Sequence, residues 1–344
     1  MLDRRTNEWL LRWERERERE TSTLVTNKSN NSNLHSAKNA KNDEFYTQYD
    51  DIAKELNHYK EQLKGKNILC PCDFDFYLLS EDEKKIIQNG KLLEQYNDGF
   101  NFSRFLRAKE EIWNLNLTFS AYNPETNEGI PFQESIKEFA KKHPDGIIIT
   151  NPPFSLFREF IETIMEYNLK FLIIGNQNAI TYKEVFKHIK ENKLWKGYGA
   201  NISMIFASPY EINDENNAKF VLSKGKNPKH YIKVKGITWF TNLDVEPRHQ
   251  RIMLTEKYNE IKYPKYDNYD AINVNKVKEI PYDYEGYIGV PITFLDKYNP
   301  MQFEIIGKMS TTKPDDIELG YPFLNNKRIY ARIIIKNKLV RKDN

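Results

Sequence analysis

The sequence has few cysteines, little net charge and no long hydrophobic run. Two cysteines, Cys70 and Cys72, lie too close along the chain for an unstrained disulfide and are too few for a zinc site, which indicates a reducing, cytoplasmic environment. The formal net charge is +3, from 52 basic and 49 acidic residues, so any nucleic-acid surface must be a local patch. No apolar stretch approaches the ~20 residues of a membrane span, and we expect neither a membrane segment nor a signal peptide.

The most informative stretch is residues 145–154, DGIIITNPPF. Its three consecutive isoleucines predict a buried strand, and two prolines end it because proline cannot continue a hydrogen-bonded ladder. Apolar residues then recur at helical spacing over 157–165, so a helix should follow. The polar Asn151 is therefore expected at the carboxyl end of a central strand, where open α/β sheets bind their ligands.

An asparagine followed by Pro152, Pro153 and Phe154 suits group transfer to an amine on a purine ring. Such an amine is a poor nucleophile because its lone pair is delocalised into the ring. The Asn151 side-chain carbonyl and the Pro152 backbone carbonyl can accept its two N–H bonds and free the lone pair. The prolines would fix the loop, and Phe154 can stack on an extruded base. The alternative is an ordinary strand–turn–helix with a proline-rich turn.

The order of the predicted elements divides the chain into two structured parts. Strand and helix patterns alternate from about residue 45 to 195, which favours a doubly wound, mostly parallel α/β sheet. Beyond residue 195, short strand candidates at 202–206, 220–222, 231–234 and 237–240 predict a β-rich region. The first 33 residues are charged and polar, and we expect them to form a flexible tail outside the fold.

A cofactor loop is expected after the first strand of a doubly wound sheet. Here the strand at 67–70 runs into Cys70-Pro71-Cys72-Asp73 and lacks the Gly-x-Gly turn that often lies at this point. Considered on its residues alone, this loop either holds a nucleotide-like cofactor or packs two small cysteines.

Several segments resemble the EcoRI-type adenine-specific DNA methylase family: 41–49 (KNDEFYTQY), 70–73 (CPCD), 151–155 (NPPFS) and 263–273 (YPKYDNYDAIN). The likeness runs from about residue 34 to 338, and the Cys-x-Cys-Asp segment stands where other methylases have glycines. The resemblance implies a Rossmann-like methyltransferase domain over 34–195 that binds S-adenosylmethionine. It also implies a C-terminal, β-rich target-recognition region over 196–338 that returns to the sheet, before a basic tail at 339–344.

The resemblance also implies a set of site residues. The catalytic residues would be Asn151, Pro152, Pro153 and Phe154. An acidic residue usually follows the second strand in such enzymes; Asn123 stands there instead, leaving Glu125 or Glu128 as acidic candidates. The full set of expected cofactor-binding residues is Phe45, Tyr46, Thr47, Cys70, Cys72, Asp73, Asn123, Glu128 and Thr150.

Contacts to DNA are expected in the second region, where lysines and tyrosines interleave over 257–287. The alternative is a partly buried aromatic layer with solvated lysines. Behind a methylase core, phosphate positioning by lysine and base contacts by tyrosine and asparagine are favoured. The expected DNA-binding residues are Lys224, Lys226, Lys229, Arg248, Lys262, Lys265, Tyr266 and Asn268.

The sequence therefore predicts a site-specific DNA adenine-N6 methyltransferase that flips its target adenine out of double-stranded DNA. It would serve a restriction–modification system or act as an orphan methylase, using S-adenosylmethionine and no metal. The resemblance implies a monomer. The alternatives are methyl transfer to RNA adenine or protein glutamine, and a non-catalytic DNA-binding protein that keeps the methylase fold.

Overall fold

The computed structural model describes residues 45–75, 98–123, 128–199, 202–208, 212, 215–311 and 314–340. The predicted N-terminal tail lies outside these residues, as does the C-terminal tail beyond residue 340. No helix in the described ranges is long and apolar enough to cross a membrane.

The described elements alternate between strand and helix in the first half of the chain and are mostly strands in the second. The strands are β1 (Tyr46–Thr47), β2 (Asn67–Cys70), β3 (Asn116–Phe119), β4 (Tyr122–Asn123), β5 (Glu128–Gly129), β6 (Ile147–Thr150), β7 (Lys170–Asn176), β8 (Trp195–Lys196), β9 (Ile202–Ala207), β10 (Tyr231–Thr241), β11 (Ala271–Asn273), β12 (Tyr287–Pro291), β13 (Phe303–Met309), β14 (Phe323–Leu324), β15 (Lys327–Arg328) and β16 (Arg332–Asn337). The helices are α1 (Tyr49–Leu56), α2 (Lys60–Leu63), α3 (Asn101–Trp113), α4 (Phe132–Lys142), α5 (Phe157–Glu166), α6 (Lys183–Lys190) and α7 (Glu215–Ser223).

A mixed sheet with the order β1-β9-β10-β7-β6-β2-β3 organises the fold, and β8 also pairs with β10. Strands β7, β6, β2 and β3 are parallel, whereas β10, β9 and β1 continue the sheet in antiparallel pairing. The predicted Rossmann-like α/β sheet is confirmed, and within the described ranges its parallel part consists of these four strands.

The central strand β6 shows why the sheet is covered on both faces. All four of its residues are buried, and successive side chains point to opposite faces. Ile148 packs into a core that contains residues of α4, α5 and α6. Ile147 and Ile149 pack into a second core with residues of α1 and α3. Helices therefore lie on both sides of the sheet, which is the doubly wound arrangement.

The large sheet continues beyond residue 195, because β8, β9 and β10 all pair within it. The predicted strand at 220–222 was wrong: these residues lie in α7. Val221 of this helix is buried against Ala207 and Tyr231, so its apolar character reflects one helix face rather than a strand. Short apolar runs do not distinguish the two structures.

A second sheet with the order β11-β12-β16-β13 forms the predicted C-terminal β-rich region. Its inward-facing residues, among them Ile288 and Ile335, belong to the same core as α4, α5 and α6. Lys308 of β13 strengthens this junction, since its buried ammonium pairs with Glu318 and donates to the Thr181 carbonyl at 2.7 Å. The final strand, β16, belongs to this sheet and not to the large one.

Candidate active site

Asn151 directly follows β6 and is held in one orientation. Its Nδ2 donates a hydrogen bond to the backbone carbonyl of Phe45 at 2.6 Å. If the amide were turned by 180°, Oδ1 would face the Phe45 carbonyl oxygen, and two acceptors cannot form a hydrogen bond. The contact therefore identifies the atom that faces Phe45 as Nδ2. The Oδ1 atom is buried and has no hydrogen-bond partner among the described residues. A buried acceptor without a donor is rare in folded proteins, and such an atom is a candidate ligand contact.

The proline loop fixes the chain that follows. Pro152 is buried, and Pro153 has an extended backbone with φ −55° and ψ 125°. The Pro153 carbonyl then accepts the Leu156 N–H at 3.0 Å, within a 3-10 turn that leads into α5. The loop therefore leaves the sheet along a defined path, as the two prolines predict.

Phe154 is part of a cluster of three aromatic rings. It stacks on Phe45 with ring centroids 6.1 Å apart and an interplanar angle of 26°. Phe206 of β9 meets Phe154 edge-on at 6.1 Å and also contacts Phe45 at 6.2 Å. Sequence patterns offer no reason to select Phe206, because its place depends on the β1–β9 pairing, in which Thr47 lies opposite Phe206.

The segment from Phe45 to Thr47 divides between two sides of the sheet. Tyr46 packs with Val221 and Tyr231 near α7, whereas Phe45 packs in the core beneath α1 and α3. Thr47 is buried, and its Oγ1 has no hydrogen-bond partner in the described part of the chain. The structure thus brings Phe45 to Asn151, and it leaves a second buried polar atom without a partner on Thr47.

Asp73 lies beside Thr150, the last residue of β6. Its Oδ2 accepts a hydrogen bond from the Thr150 hydroxyl at 2.6 Å, and both side chains are buried. Burial raises the pKa of Asp73 to about 7, although the bond from Thr150 opposes the shift. Burial likewise raises the pKa of the thiols of Cys70 and Cys72, so both are neutral and neither is a reactive thiolate.

The two remaining cofactor candidates meet in a short hairpin. Asn123 of β4 lies opposite Glu128 of β5 in the pairing register. The hairpin closes with a hydrogen bond from the Ile130 N–H to the Ala121 carbonyl at 3.0 Å. The alternative acidic candidate, Glu125, lies outside the described residues.

The predicted DNA-binding residues fall into separate places. Lys224, Lys226 and Lys229 occupy the turn before β10, and Lys226 lies 4.7 Å from the ring centroid of Tyr231. Because β10 runs antiparallel to β7, β10 begins on the side of the sheet where β6 and β7 end. The basic turn, formed by Lys224, Lys226 and Lys229, therefore lies on the same side of the sheet as Asn151.

Arg248 lies near the other end of β10. It stacks 4.0 Å from the ring centroid of Trp195, which is paired with Thr241 at the end of that strand. Eleven residues of strand span roughly 33 Å, so the sheet separates Arg248 from the basic turn. Burial lowers the pKa of Arg248 to about 10, and its guanidinium also donates to Asn192.

The residues predicted between 257 and 287 mostly have partners within the second region. Lys262 pairs with Glu256 at 2.6 Å, and Lys265 pairs with Asp270 at 2.9 Å. Tyr266 is buried, and its hydroxyl donates to Asn273 Oδ1 at 2.9 Å. The side-chain amide of Asn268 donates to the Tyr321 carbonyl at 2.9 Å. The ring of Tyr266 therefore packs inside the protein.

The chain is similar over most of its length to a known protein family and to individual members of it. The family model described as "Adenine-specific methyltransferase EcoRI" matches residues 33–78 and 127–338. The type II methyltransferase M.EcoRI of Escherichia coli is 41% identical over 342 residues, covering 91% of this chain and 98% of that protein. The type II methyltransferase M.MpnI of Mycoplasma pneumoniae is 35% identical over 336 residues, covering 88% and 97%. No solved structure matches the chain significantly. The chain belongs to the EcoRI family of adenine-specific methyltransferases.

Proposed function

We propose that the protein is a site-specific DNA adenine-N6 methyltransferase, serving a restriction–modification system or acting as an orphan methylase. It would act in the cytoplasm, as a monomer, on double-stranded DNA. The observation that carries the proposal is the Asn151 side chain, whose Nδ2 is held by the Phe45 carbonyl while its Oδ1 is buried without a partner among the described residues.

That oxygen suits the exocyclic amine of adenine. Oδ1 would accept one N–H bond of the amine, and the Pro152 backbone carbonyl would accept the other. Two acceptors draw the nitrogen towards tetrahedral geometry and make its lone pair available. Because the Phe45 contact already fixes the amide, little reorganisation remains at the moment of reaction, and positioning supplies much of the rate.

The residues around Asn151 also fit S-adenosylmethionine. Thr47 Oγ1 is buried without a described partner, and the buried carboxyl of Asp73 can bind hydroxyl or amine groups. When bound, this cofactor supplies the methyl group. The residues proposed to hold it are Phe45, Tyr46, Thr47, Cys70, Cys72, Asp73, Asn123, Glu128 and Thr150.

The chain needs no general base before the methyl group is transferred. The amine becomes cationic only afterwards, and its proton can then leave to water. We therefore assign Asp73 to binding and not to proton transfer. Its Oδ2 is occupied by the Thr150 hydroxyl at 2.6 Å, which agrees with a positioning role.

The base must leave the duplex to reach Asn151. We propose that Phe154 stacks on the extruded adenine and that lysines of the basic turn, Lys224, Lys226 and Lys229, contact the DNA backbone. Their place at the carboxyl edge of β6 and β7 supports this assignment. Lys262, Lys265 and Asn268 remain proposed contacts of the second region.

Transfer of tritium from labelled S-adenosylmethionine to plasmid DNA, RNA and bulk protein, followed by nucleoside analysis, tests the acceptor. We expect label in DNA, recovered as N6-methyladenine. Label in RNA or protein alone would contradict the proposed substrate. Absence of transfer to all three, with DNA binding retained, would favour a non-catalytic DNA-binding protein.

A further inference from the structure

The carboxylate of Asp98 lies outside every predicted site and gathers donors from three elements. Its Oδ2 accepts hydrogen bonds from Gln48 Nε2 at 3.0 Å and from the Tyr231 hydroxyl at 2.9 Å. Its Oδ1 accepts a bond from Asn101 Nδ2 at 2.9 Å. Gln48 directly precedes α1, Asn101 is the first residue of α3, and Tyr231 is the first residue of β10. The Asp98 side chain therefore joins three parts of the fold.

The network is anchored on β1, which directly follows Phe45, the residue whose carbonyl orients Asn151. Asn101 is buried, and its Nδ2 also donates to the Thr47 backbone carbonyl at 2.9 Å. Gln48 is the next residue along the chain, and its carbonyl accepts the Asp51 and Ile52 N–H groups at the start of α1. Asn101 therefore holds the Thr47 carbonyl, and the contacts of Gln48 with Asp98 and with the start of α1 hold the next residue.

The pairing of strand β1 within the sheet is too limited to hold the strand in place. Among the described residues it is two residues long, lies at the edge of the sheet and pairs with β9 alone. So short an edge strand does not fix its own position. Yet the adjoining Phe45 carbonyl sets the orientation of Asn151, and Thr47 carries the buried hydroxyl proposed to meet the cofactor.

We infer that Asp98 and Tyr231 are positioning residues that hold the segment from Phe45 to Thr47 in the conformation that binds S-adenosylmethionine. Neither belongs to the residues proposed to contact the base or the cofactor; they act through Gln48, which donates to Asp98, and through Asn101, which joins Asp98 to the Thr47 carbonyl. Removing them lets β1 move, which weakens cofactor binding first and alignment of Asn151 second. This inference rests on the proposed function, because it concerns the same cofactor site.

The test compares Tyr231→Phe with a matched control, Tyr59→Phe. Both changes delete one buried phenol hydroxyl that donates to a carboxylate, at 2.9 Å to Asp98 and at 3.0 Å to Glu55. We expect Tyr231→Phe to weaken S-adenosylmethionine binding in calorimetry, and to raise its KM, by about tenfold. Tyr59→Phe should leave both within about twofold at a similar loss of thermal stability.

A double variant keeps the test decisive if one substitution lowers stability broadly. Once Asp98→Ala has removed the acceptor, adding Tyr231→Phe should cost little more, because both delete the same interaction. Unchanged cofactor affinity in Tyr231→Phe, equal losses in both phenylalanine variants, or fully additive effects would overturn the inference. A wild-type protein that binds no S-adenosylmethionine would overturn the proposed function as well.

Discussion

Asp73 should make the folded protein less stable as the pH rises from 4 to 7. Its carboxyl is buried, and burial raises its pKa from the ordinary 3.8 to about 7. Well below pH 3.8 the group is protonated in both the folded and the unfolded state. Between these values the unfolded chain releases the proton while the folded protein keeps it, so the stability contributed by Asp73 is lost as the pH rises through 7.

The size of the effect follows from the two pKa values. One pKa unit corresponds to about 1.4 kcal/mol, so a folded-state pKa of about 7 against 3.8 corresponds to about 4 kcal/mol. Asp73→Asn keeps the shape of the side chain and an acceptor for the Thr150 hydroxyl, but it cannot ionise. The unfolding free energy of the wild type minus that of the variant should therefore fall by about 4 kcal/mol between pH 4 and pH 8.

Urea unfolding of both proteins across this pH range measures the difference directly. Other buried acids, such as Glu55, occur in both proteins and cancel. Asp145→Asn is the matched control, since Asp145 is exposed, pairs with Lys66 at 2.9 Å and has a lowered pKa. Its difference curve should be flat from pH 5 to 8. A curve for Asp73→Asn that is flat within about 0.5 kcal/mol would refute the burial argument.

Two further predictions concern DNA binding and the junction with the second sheet. Replacing Lys224, Lys226 and Lys229 with alanine should reduce the slope of log affinity against log salt by about 0.9 for each phosphate interaction that the substitutions remove; an unchanged slope would exclude the basic turn from the interface. Glu318→Gln should destabilise the protein by about 3–5 kcal/mol in urea unfolding, because it leaves the buried Lys308 ammonium without its counter-charge; a neutral result would contradict the ion pair.

Helix α4 offers a control for each of these two predictions. Lys141 and Glu138 form an exposed ion pair at 2.7 Å. The helix ends just before β6 begins, so Lys141 lies near the start of β6, whereas Asn151 follows the end of that strand. Lys141→Ala should leave the salt dependence unchanged, and Glu138→Gln should leave the unfolding transition unchanged.

The sequence predicts those features of this protein that depend on residues close together in the chain. Three isoleucines and two prolines place Asn151 at the end of a central strand, and the structure agrees. Phe206 and Asp98 could not be found in the same way, because they reach the site through pairings between distant parts of the chain. Tyr266 illustrates the same limit, since its alternating sequence context does not reveal that its ring is buried.

The most direct test of the central claim is the single-turnover rate of methyl transfer to plasmid DNA by Asn151→Ala. Asn116→Ala is the control, because Asn116 is exposed at the start of β3, on the opposite edge of the sheet. If Asn151 Oδ1 activates the amine, the rate should fall by roughly 10²–10³-fold with cofactor affinity little changed, while the control keeps the wild-type rate. A rate for Asn151→Ala within about threefold of wild type would contradict the assignment of Asn151 as the catalytic acceptor.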